Sequence, residues 1–190
     1  MRVITGQAKG RRLKAPRGFT TRPTTDRVKE SLFNILRDIP CRATVLDLFA
    51  GSGGLGIEAL SRGAEKAVFV DQSSTSCQVI TENLKTTGLL PKASVLKYEA
   101  LKALELLSRQ GWVFTLIFCD PPYLSGLAEA ALQKVTSLKI VTDGAIFVTE
   151  HSRRETLPER IGGFVLVRRE QYGETMMSFY AYQEEEQSCV

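Results

Sequence analysis

The stretch 44–60 constrains the fold more strongly than any other part of this sequence. An apolar run at 45–49 has the length and composition of a buried strand, and an amphipathic run at the end of the stretch indicates a helix. Between them, Gly51, Gly53 and Gly56 stand in G-x-G-x-x-G register, which permits a sharp turn and lets a ligand lie close to the backbone. The stretch therefore predicts a strand, a glycine turn and a helix built around a ligand.

A carboxylate twenty positions after Gly51 indicates the kind of ligand. The apolar run 67–70 predicts a second strand, and this run ends in Asp71. A carboxylate at that place can accept hydrogen bonds from ribose hydroxyls. The two features together predict a nucleoside-containing cofactor and leave its identity open.

Strand and helix signals alternate through the rest of the sequence, which is typical of a parallel sheet covered on both faces. The predicted strands are 66–71, 93–98, 113–119 and 145–149, and the predicted helices are 74–86, 100–109 and 126–137. Two final extended runs, 164–169 and 176–182, are joined by six residues, which are too few for a crossover helix, so they predict an antiparallel hairpin at the sheet edge. The predicted fold is α/β, with a seven-stranded, mostly parallel sheet that ends in this hairpin.

Positive charge is concentrated near the N-terminus. Residues 1–29 carry nine basic side chains and one acidic one, giving +8, whereas the 16 basic and 20 acidic side chains of 30–190 give −4. Short extended runs on either side of the glycine-containing segment 6–10 predict a β-hairpin that presents basic groups. A basic element beside a nucleoside-cofactor domain favours a phosphate-rich partner, although charge alone fits a solvated arm equally well.

A helix with one apolar face is predicted after the hairpin. Thr24, Thr25 and Asp26 are typical of a helix start, and apolar residues recur at helical spacing over 28–36. The free N–H groups at the start of such a helix suit an anionic ligand. We therefore divide the chain into a basic arm (1–20), a cofactor-dependent catalytic domain (21–183) and an acidic tail (184–190).

Cysteine and histidine usage argues against metal chemistry. The four cysteines form no C-x-x-C pair and His151 is the only histidine, so we expect reduced thiols, a structural or surface role for His151, and no metal site. No apolar stretch approaches the length of a membrane span, and no apolar signal-peptide region follows the basic N-terminus. These features predict a cytoplasmic protein.

A second motif, Asp120-Pro121-Pro122-Tyr123, follows the fourth predicted strand. Ligands of open α/β sheets bind beyond the carboxyl ends of the strands, so this motif and the glycine turn should face one crevice. Two prolines remove two N–H donors, and the loop is left with carbonyls and a carboxylate as acceptors.

Such acceptors suit a substrate that presents an amino group. Asp120 and the carbonyl of Pro121 would each accept one N–H bond from an exocyclic amine, which aims the nitrogen lone pair at an electrophile and stabilises positive charge developing on nitrogen. Tyr123 offers a face on which an extruded base can stack. A Pro-Pro turn that merely ends a strand is the alternative, but the acidic and aromatic neighbours in this order favour a catalytic loop.

With these two motifs the sequence resembles the class I S-adenosylmethionine-dependent methyltransferases, and among them the Asp/Asn-Pro-Pro-Tyr/Phe group that acts on planar amino nitrogens. The resemblance implies a Rossmann-like methyltransferase fold, S-adenosylmethionine as cofactor, and Asp120, Pro121, Pro122 and Tyr123 as catalytic residues. It implies that Asp47 and the turn 50–53 contact the methionine part, that Asp71 binds the ribose, and that Glu99 and Ala100 lie at the adenine edge. The candidate cofactor-binding residues are Asp47, Phe49, Ala50, Gly51, Ser52, Gly53, Asp71, Gln72, Glu99 and Ala100.

The segment 22–36, from Arg22-Pro23-Thr24-Thr25 to Asn34-Ile35-Leu36, is similar to the signature helix of the bacterial RsmD family. Members of that family methylate guanine N2 in small-subunit (16S) ribosomal RNA. The likeness extends from Arg2 through Thr175. It implies that the N-terminal hairpin helps to bind RNA and that a partly assembled 30S subunit is one possible substrate. The candidate RNA-binding residues are Lys9, Arg11, Arg12, Lys14, Arg22 and Arg27. We expect the protein to act as a monomer.

Other functions fit part of the sequence. A nicotinamide oxidoreductase would account for the glycine spacing but leaves the Asp120 motif without a task. A non-catalytic RNA-binding assembly factor would account for the basic arm but not for the crevice. Within methyltransferases, adenine N6 and protein glutamine amides are served by related tetrapeptides, so these acceptors are alternatives to guanine N2.

Overall fold

The computed structural model describes residues 1–16, 26–36 and 42–184 of the chain. The helices are α1 (Asp26–Ile35), α2 (Gly54–Ser61), α3 (Ser74–Thr87), α4 (Ala100–Arg109) and α5 (Leu127–Leu138), with a short 3-10 helix at Leu90–Lys92. The strands are β1 (Thr44–Leu48), β2 (Lys66–Asp71), β3 (Ala93–Lys97), β4 (Phe114–Cys119), β5 (Val141–Ser152), β6 (Arg160–Ile161), β7 (Phe164–Tyr172) and β8 (Thr175–Tyr182). None of the helices in these described ranges is long and apolar enough to cross a membrane.

The strands form one twisted sheet in the order β3-β2-β1-β4-β5-β8-β7-β6. The strands β1 to β5 are parallel, and β8 and β7 continue the sheet in antiparallel pairing. The predicted α/β class and the C-terminal hairpin are confirmed. The prediction of seven strands misses β6, which pairs with β7 outside the hairpin; its two residues are too few to give a periodic signal.

Strand β5 is longer than its predicted core of 145–149. Its pairing with β4 shifts register between Phe114 and Leu116, and Gly144 within it has φ +71°. Polar residues and a glycine interrupt the apolar alternation at this end, so the sequence shows only the regular part of the strand.

The sheet separates two hydrophobic cores. One lies under α4 and α5 and includes Leu104 and Leu132. The other lies under α1, α2 and α3 and includes Phe33 of α1 and Val3 of the N-terminal segment. Alternate residues of each parallel strand enter opposite cores, as expected for a sheet buried on both faces.

The N-terminal segment 1–16 folds back on itself and packs against α2. Its two sides meet in an antiparallel bridge between Arg2 and Arg12, and the N–H of Val3 donates to the carbonyl of Arg11 at 2.9 Å. The N–H groups of Ile4 and Thr5 donate to the two carboxylate oxygens of Glu58 at 2.8 and 3.0 Å. The predicted basic hairpin therefore forms as a short loop fixed to the sheet domain, which we call the arm.

The carboxylate that holds the arm belongs to a buried cluster of charged side chains. Glu58 is fully buried, with Lys29 Nζ at 3.3 Å and Arg62 Nε at 2.9 Å from its carboxylate oxygens. Lys29 is also fully buried, and this burial lowers its pKa, while the charge of Glu58 acts in the opposite direction. Lys29 counts toward the basic N-terminal charge in the sequence, but it faces the interior and cannot meet a partner.

Candidate active site

The carboxyl ends of the parallel strands bring both sequence motifs to one edge of the sheet. The glycine turn follows β1, and the Asp120 loop follows the neighbouring strand β4. The N–H of Ala50 donates to the carbonyl of Val70 at 2.9 Å, and the N–H of Asp120 approaches the carbonyl of Leu48 at 3.4 Å. The two motifs are thus tied to adjacent strands and lie at the same edge of the sheet, and we call the region at this edge the crevice.

Two carboxylates fix the shape of the glycine turn. Asp47 is buried, and its Oδ2 accepts a hydrogen bond of 2.8 Å from the N–H of Gly56. Asp71 accepts from the N–H of Gly51 at 2.9 Å and, with its other oxygen, from the N–H of Ser73 at 2.8 Å. Hydrogen bonds within the protein therefore fix the shape of the turn.

Asp47 is an unusual group for so deep a position. Burial raises its pKa to about 7, the hydrogen bond from Gly56 opposes this shift, and the charge of Asp71 adds to it. A positive charge close to this carboxylate would act in the opposite direction to burial and favour its ionised form.

The backbone of the turn explains the glycines. Gly51 and Gly53 have φ of +55° and +75°, and Phe49 just before them has φ of +66°. A Cβ on Gly56 would lie 2.4 Å from a ring carbon of Phe69, so only glycine lets α2 pack this close to β2. A Cβ on Gly51 would meet no protein atom within 4 Å, which leaves open space beside the turn for a ligand.

The remaining predicted cofactor residues line the same edge with different surroundings. Gln72 is exposed directly after Asp71, and Ala100 is buried in the first turn of α4. Glu99 caps α4, since its carboxylate accepts from the N–H groups of Leu101 at 2.9 Å and Lys102 at 3.3 Å. Any contact of Glu99 with a base would use carboxylate lone pairs that do not already accept from Leu101 or Lys102.

Ser52 connects the turn to the arm. The amide nitrogen of Asn83 donates to the carbonyl of Ser52 at 2.9 Å and to the carbonyl of Lys14 at 3.0 Å. The amide oxygen of Asn83 accepts from the N–H of Lys14 at 2.9 Å. One buried side chain thus joins the end of the arm to the glycine turn.

Asp120 faces the crevice from the other strand. Within the described parts of the chain, nothing donates a hydrogen bond to its carboxylate or to the carbonyl of Pro121, whereas the carbonyl of Pro122 accepts from the hydroxyl of Ser125 at 2.6 Å. Burial raises the pKa of Asp120 well above its usual range, and the negative charges of Glu150 and Asp47 add to the shift. The two acceptors named from the sequence are available to a substrate.

Tyr123 is 44% exposed as a residue, and its hydroxyl is held by two hydrogen bonds. The hydroxyl donates to Oε1 of Glu150 at 2.7 Å and lies 2.8 Å from the hydroxyl of Thr175. Burial raises the pKa of the phenol; the Thr175 bond opposes the shift, and Glu150 adds to it. The side chain borders the crevice with its polar end fixed.

Sequence reasoning missed three residues at this edge. Glu150 stands one position after the predicted strand core 145–149, where a carboxyl-end side chain could have been sought. Tyr98 is 45% exposed between β3 and Glu99. Thr175 lies in the segment assigned to the hairpin turn, and only the pairing of β8 with β5 brings it to Tyr123.

The candidate RNA-binding residues divide into exposed and paired groups. Lys9, Arg11 and Arg12 of the arm and Arg27 of α1 are exposed. Lys14 is exposed too, but its ammonium group contacts the carboxylate of Glu82 at 2.8 Å. Arg22, with Pro23, Thr24 and Thr25 of the signature segment, lies outside the described residues.

His151 lies away from the proposed chemistry. It is buried, with Nε2 at 2.9 Å from the hydroxyl of Ser178 and Nδ1 at 3.0 Å from the carbonyl of Ser152. Burial lowers its pKa, which favours the neutral ring. Its contacts are those of a structural residue between β5 and β8.

Known proteins share both the sequence and this architecture. A family model described as conserved hypothetical protein 95 matches residues 1–181. The Bacillus subtilis protein YlbH is 45% identical over 180 residues, which cover 95% of this chain and 98% of that protein. The Escherichia coli protein called ribosomal RNA small subunit methyltransferase D is 35% identical over 187 residues, covering 98% and 91%.

A solved structure extends the likeness to three dimensions. The Escherichia coli protein yhhF superimposes with a TM-score of 0.83 at 34% identity, covering 96% of this chain and 98% of that one. The family model's match over residues 1–181 spans the arm, the glycine turn, the Asp120 loop and the C-terminal hairpin together. The chain therefore belongs to the family described as conserved hypothetical protein 95, which confirms the RsmD family predicted from its sequence.

Proposed function

We propose that this protein transfers a methyl group from S-adenosylmethionine to the exocyclic N2 amine of a guanine in small-subunit (16S) ribosomal RNA. The observation that carries the proposal is the placement of an open glycine turn and an acceptor loop on adjacent strands of one crevice. The name of the Escherichia coli relative, ribosomal RNA small subunit methyltransferase D, supports both the reaction and the RNA.

The donor side fits the cofactor. Open space beside Gly51, a buried Asp47 whose pKa favours a cationic neighbour, and the partly exposed carboxylate of Asp71 suit the amino group and the ribose of S-adenosylmethionine. When bound, S-adenosylmethionine supplies an electrophilic methyl group. We assign binding to Asp47, Phe49, Ala50, Gly51, Ser52, Gly53, Asp71, Gln72, Glu99 and Ala100.

The acceptor side orients and activates the amine. The carboxylate of Asp120 and the carbonyl of Pro121 each accept one N–H bond, which directs the nitrogen lone pair along the crevice and stabilises the positive charge that grows on nitrogen. Pro122 fixes the loop, and the ring of Tyr123 stacks on the base. Asp120 takes the proton that the methylated amine releases. The raised pKa of Asp120 makes its carboxylate a stronger base. A cation in the crevice favours the ionised form, which is the form that can accept the proton.

The arm and α1 supply the contact with RNA. Lys9, Arg11, Arg12, Lys14, Arg22 and Arg27 bind phosphates, and the basic arm at 1–20 acts together with the catalytic domain at 21–183. The acidic tail at 184–190 lies outside both. The substrate is small-subunit ribosomal RNA in the cytoplasm, either free or within a partly assembled 30S subunit, and the protein acts as a monomer.

A methyl-transfer assay with mass-spectrometric mapping tests the proposal. Purified protein and labelled S-adenosylmethionine are incubated with 16S RNA and 30S particles from cells that lack this protein. One N2-methylguanosine, absent with Asp120→Ala, is the expected result. Methylation of adenine N6 or of a protein glutamine would overturn the choice of acceptor. Binding of NADH with no binding of S-adenosylmethionine would favour an oxidoreductase. RNA binding with no methyl transfer would favour a non-catalytic assembly factor.

A further inference from the structure

We propose that Glu150 and Thr175 are positioning residues of the acceptor site, which hold the phenol of Tyr123 from two sides so that its ring stays fixed as the surface for the target base. This inference rests on the proposed function and adds two residues to it. Neither residue belongs to the tetrapeptide, since Glu150 is on β5 and Thr175 begins β8.

The hydrogen-bond directions follow from the groups present. The phenol has one hydrogen, which it donates to Glu150 at 2.7 Å, so the hydroxyl of Thr175 is the donor in its 2.8 Å contact with the phenol oxygen. A bond from a hydroxyl to a carboxylate is stronger than one between neutral groups. Glu150 therefore contributes most to the position of Tyr123, and Thr175 fixes the oxygen from the other side.

The position of these contacts explains why the ring needs them. Tyr123 follows two prolines and precedes Leu124, which has φ of +57° and is 64% exposed. Tyr123 as a whole residue is 44% exposed, so packing alone holds its side chain weakly. An aromatic surface on which a base stacks reduces the cost of binding only if it is already ordered. The bonds to Glu150 and Thr175 provide that order.

Glu150 has a second effect, on Asp120. The ionisable groups that face Asp120 within the described residues are Glu150 of β5, Asp47 of β1, Cys119 of β4 and Tyr123 of its own loop. Glu150 and Asp47 carry the negative charges in this group, and both raise the pKa of Asp120. Removing the negative charge of Glu150 therefore lowers the pKa of Asp120. The carboxylate of Asp120 is then ionised, and able to accept a proton, at a lower pH.

Four variants test the inference: Glu150→Ala, Glu150→Gln, Thr175→Val and the control Glu170→Gln. Glu170 lies on β7, where it pairs with Arg168, and its change to Gln alters the net charge as Glu150→Gln does. Measurements are kcat and KM for RNA at saturating S-adenosylmethionine, the pH profile of kcat/KM, and cofactor affinity. The Cζ signal of Tyr123 in 13C-tyrosine NMR, assigned with Tyr123→Phe, reports the phenol without requiring activity.

We expect Glu150→Ala to lower kcat/KM for RNA about 10- to 100-fold, and Thr175→Val a few-fold, with cofactor affinity unchanged. Glu150→Gln keeps an acceptor oxygen, so it recovers most of the activity and moves the acidic limb of the profile to lower pH. The Tyr123 signal shifts in Glu150→Ala and Thr175→Val but not in Glu170→Gln.

The outcomes separate this inference from the proposed function. A Glu150→Ala variant that matches Glu170→Gln in kcat/KM and leaves the Tyr123 signal in place overturns the inference. A pH profile unmoved by Glu150→Gln overturns the effect on Asp120. If the wild-type protein methylates no RNA, the proposed function fails, and the NMR signal alone still decides whether Glu150 and Thr175 hold Tyr123.

Discussion

The carboxylates of the donor half and of the acceptor half are satisfied in different ways. Asp47, Glu58 and Asp71, around the glycine turn and α2, each accept hydrogen bonds from backbone N–H groups. Asp120 accepts none from the described residues, and Glu150 accepts from the hydroxyl of a side chain. The donor-half carboxylates therefore fix backbone N–H groups in addition to any contact with a cofactor, whereas we propose that Asp120 acts on the substrate and that Glu150 positions Tyr123.

This contrast predicts that removing a carboxylate affects stability in the donor half and reaction rate in the acceptor half. Removing a donor-half carboxylate leaves buried N–H groups or a buried cation without a partner, so stability falls. Removing Asp120 relieves a carboxylate that burial already disfavours, so stability holds while the rate falls. The following predictions separate the two halves, in order of expected effect.

The largest loss of stability is expected for Glu58→Ala. It leaves the buried Lys29 and the N–H groups of Ile4 and Thr5 without their partner, which costs about 3–5 kcal/mol in the free energy of unfolding. Denaturant unfolding measures the change. Glu65→Ala, at an exposed position in the loop between α2 and β2, is the control and should stay within about 0.5 kcal/mol. Equal stability of the two variants would contradict a structural role for the buried cluster.

Asp120→Ala should lower activity without lowering stability. Methyl transfer is expected to fall about 10²- to 10³-fold, since the group that accepts the amine and its proton is gone. Affinity for RNA and for the cofactor, measured by calorimetry, should change little, and the free energy of unfolding should not decrease. Turnover near the wild-type value would refute the assigned role of Asp120.

Two glycines of the turn should separate stability from binding. Gly56→Ala places a Cβ 2.4 Å from the ring of Phe69, and this overpacking should lower the free energy of unfolding by about 1–3 kcal/mol. Gly51→Ala meets no protein atom, but its φ of +55° strains the new side chain by about 1–2 kcal/mol. Its distinguishing effect should be on the cofactor, with affinity reduced about tenfold. Thermal unfolding and calorimetry on both variants check the difference. A cofactor affinity that survives Gly51→Ala would place the ligand elsewhere.

Cofactor affinity should rise with pH below about 7. The pKa of Asp47 in the free protein is about 7, so at lower pH a proton must leave before the carboxylate can face a cation. The dissociation constant should therefore fall by up to about tenfold per pH unit between about pH 5.5 and 7 and level off above it. Calorimetry in buffers of different ionisation enthalpy also detects the released proton. Asp47→Asn should flatten the dependence, and an unchanged slope would remove Asp47 from the site.

The smallest effect concerns the arm. Arg11 and Arg12 are exposed, so changing both to Ala should weaken RNA binding and reduce the slope of log K against log salt by about 1.4–1.8, at about 0.7–0.9 per phosphate contact. Lys14 already contacts Glu82, so Lys14→Ala should change the slope less. Equal slopes for the wild type and the double variant would exclude the arm from the RNA interface.

The parts of the structure that periodic patterns encode were predictable from the sequence. The alternation of strands and helices, the bounds of α4 and the meeting of the glycine turn with Asp120 at one edge follow from short-range signals and from the geometry of parallel sheets. Glu58 and Lys29 form their pair only through the packing of α1 and the arm on α2, which no local pattern records. Thr175 reaches Tyr123 through the register of β8 on β5, which depends on contacts far apart in sequence.

The attachment of the arm has a consequence for synthesis. The arm leaves the ribosome before the groups that hold it, because Glu58, Ser61 and Asn83 follow 53 to 69 residues after their partners. The bonds to Glu58 and Ser61 can form once α2 has been made, whereas the bond from Lys14 to Asn83 must wait for α3. The surface proposed to meet RNA is thus completed only after the turn proposed to hold the cofactor, and the nascent chain gains its nucleic-acid contact late.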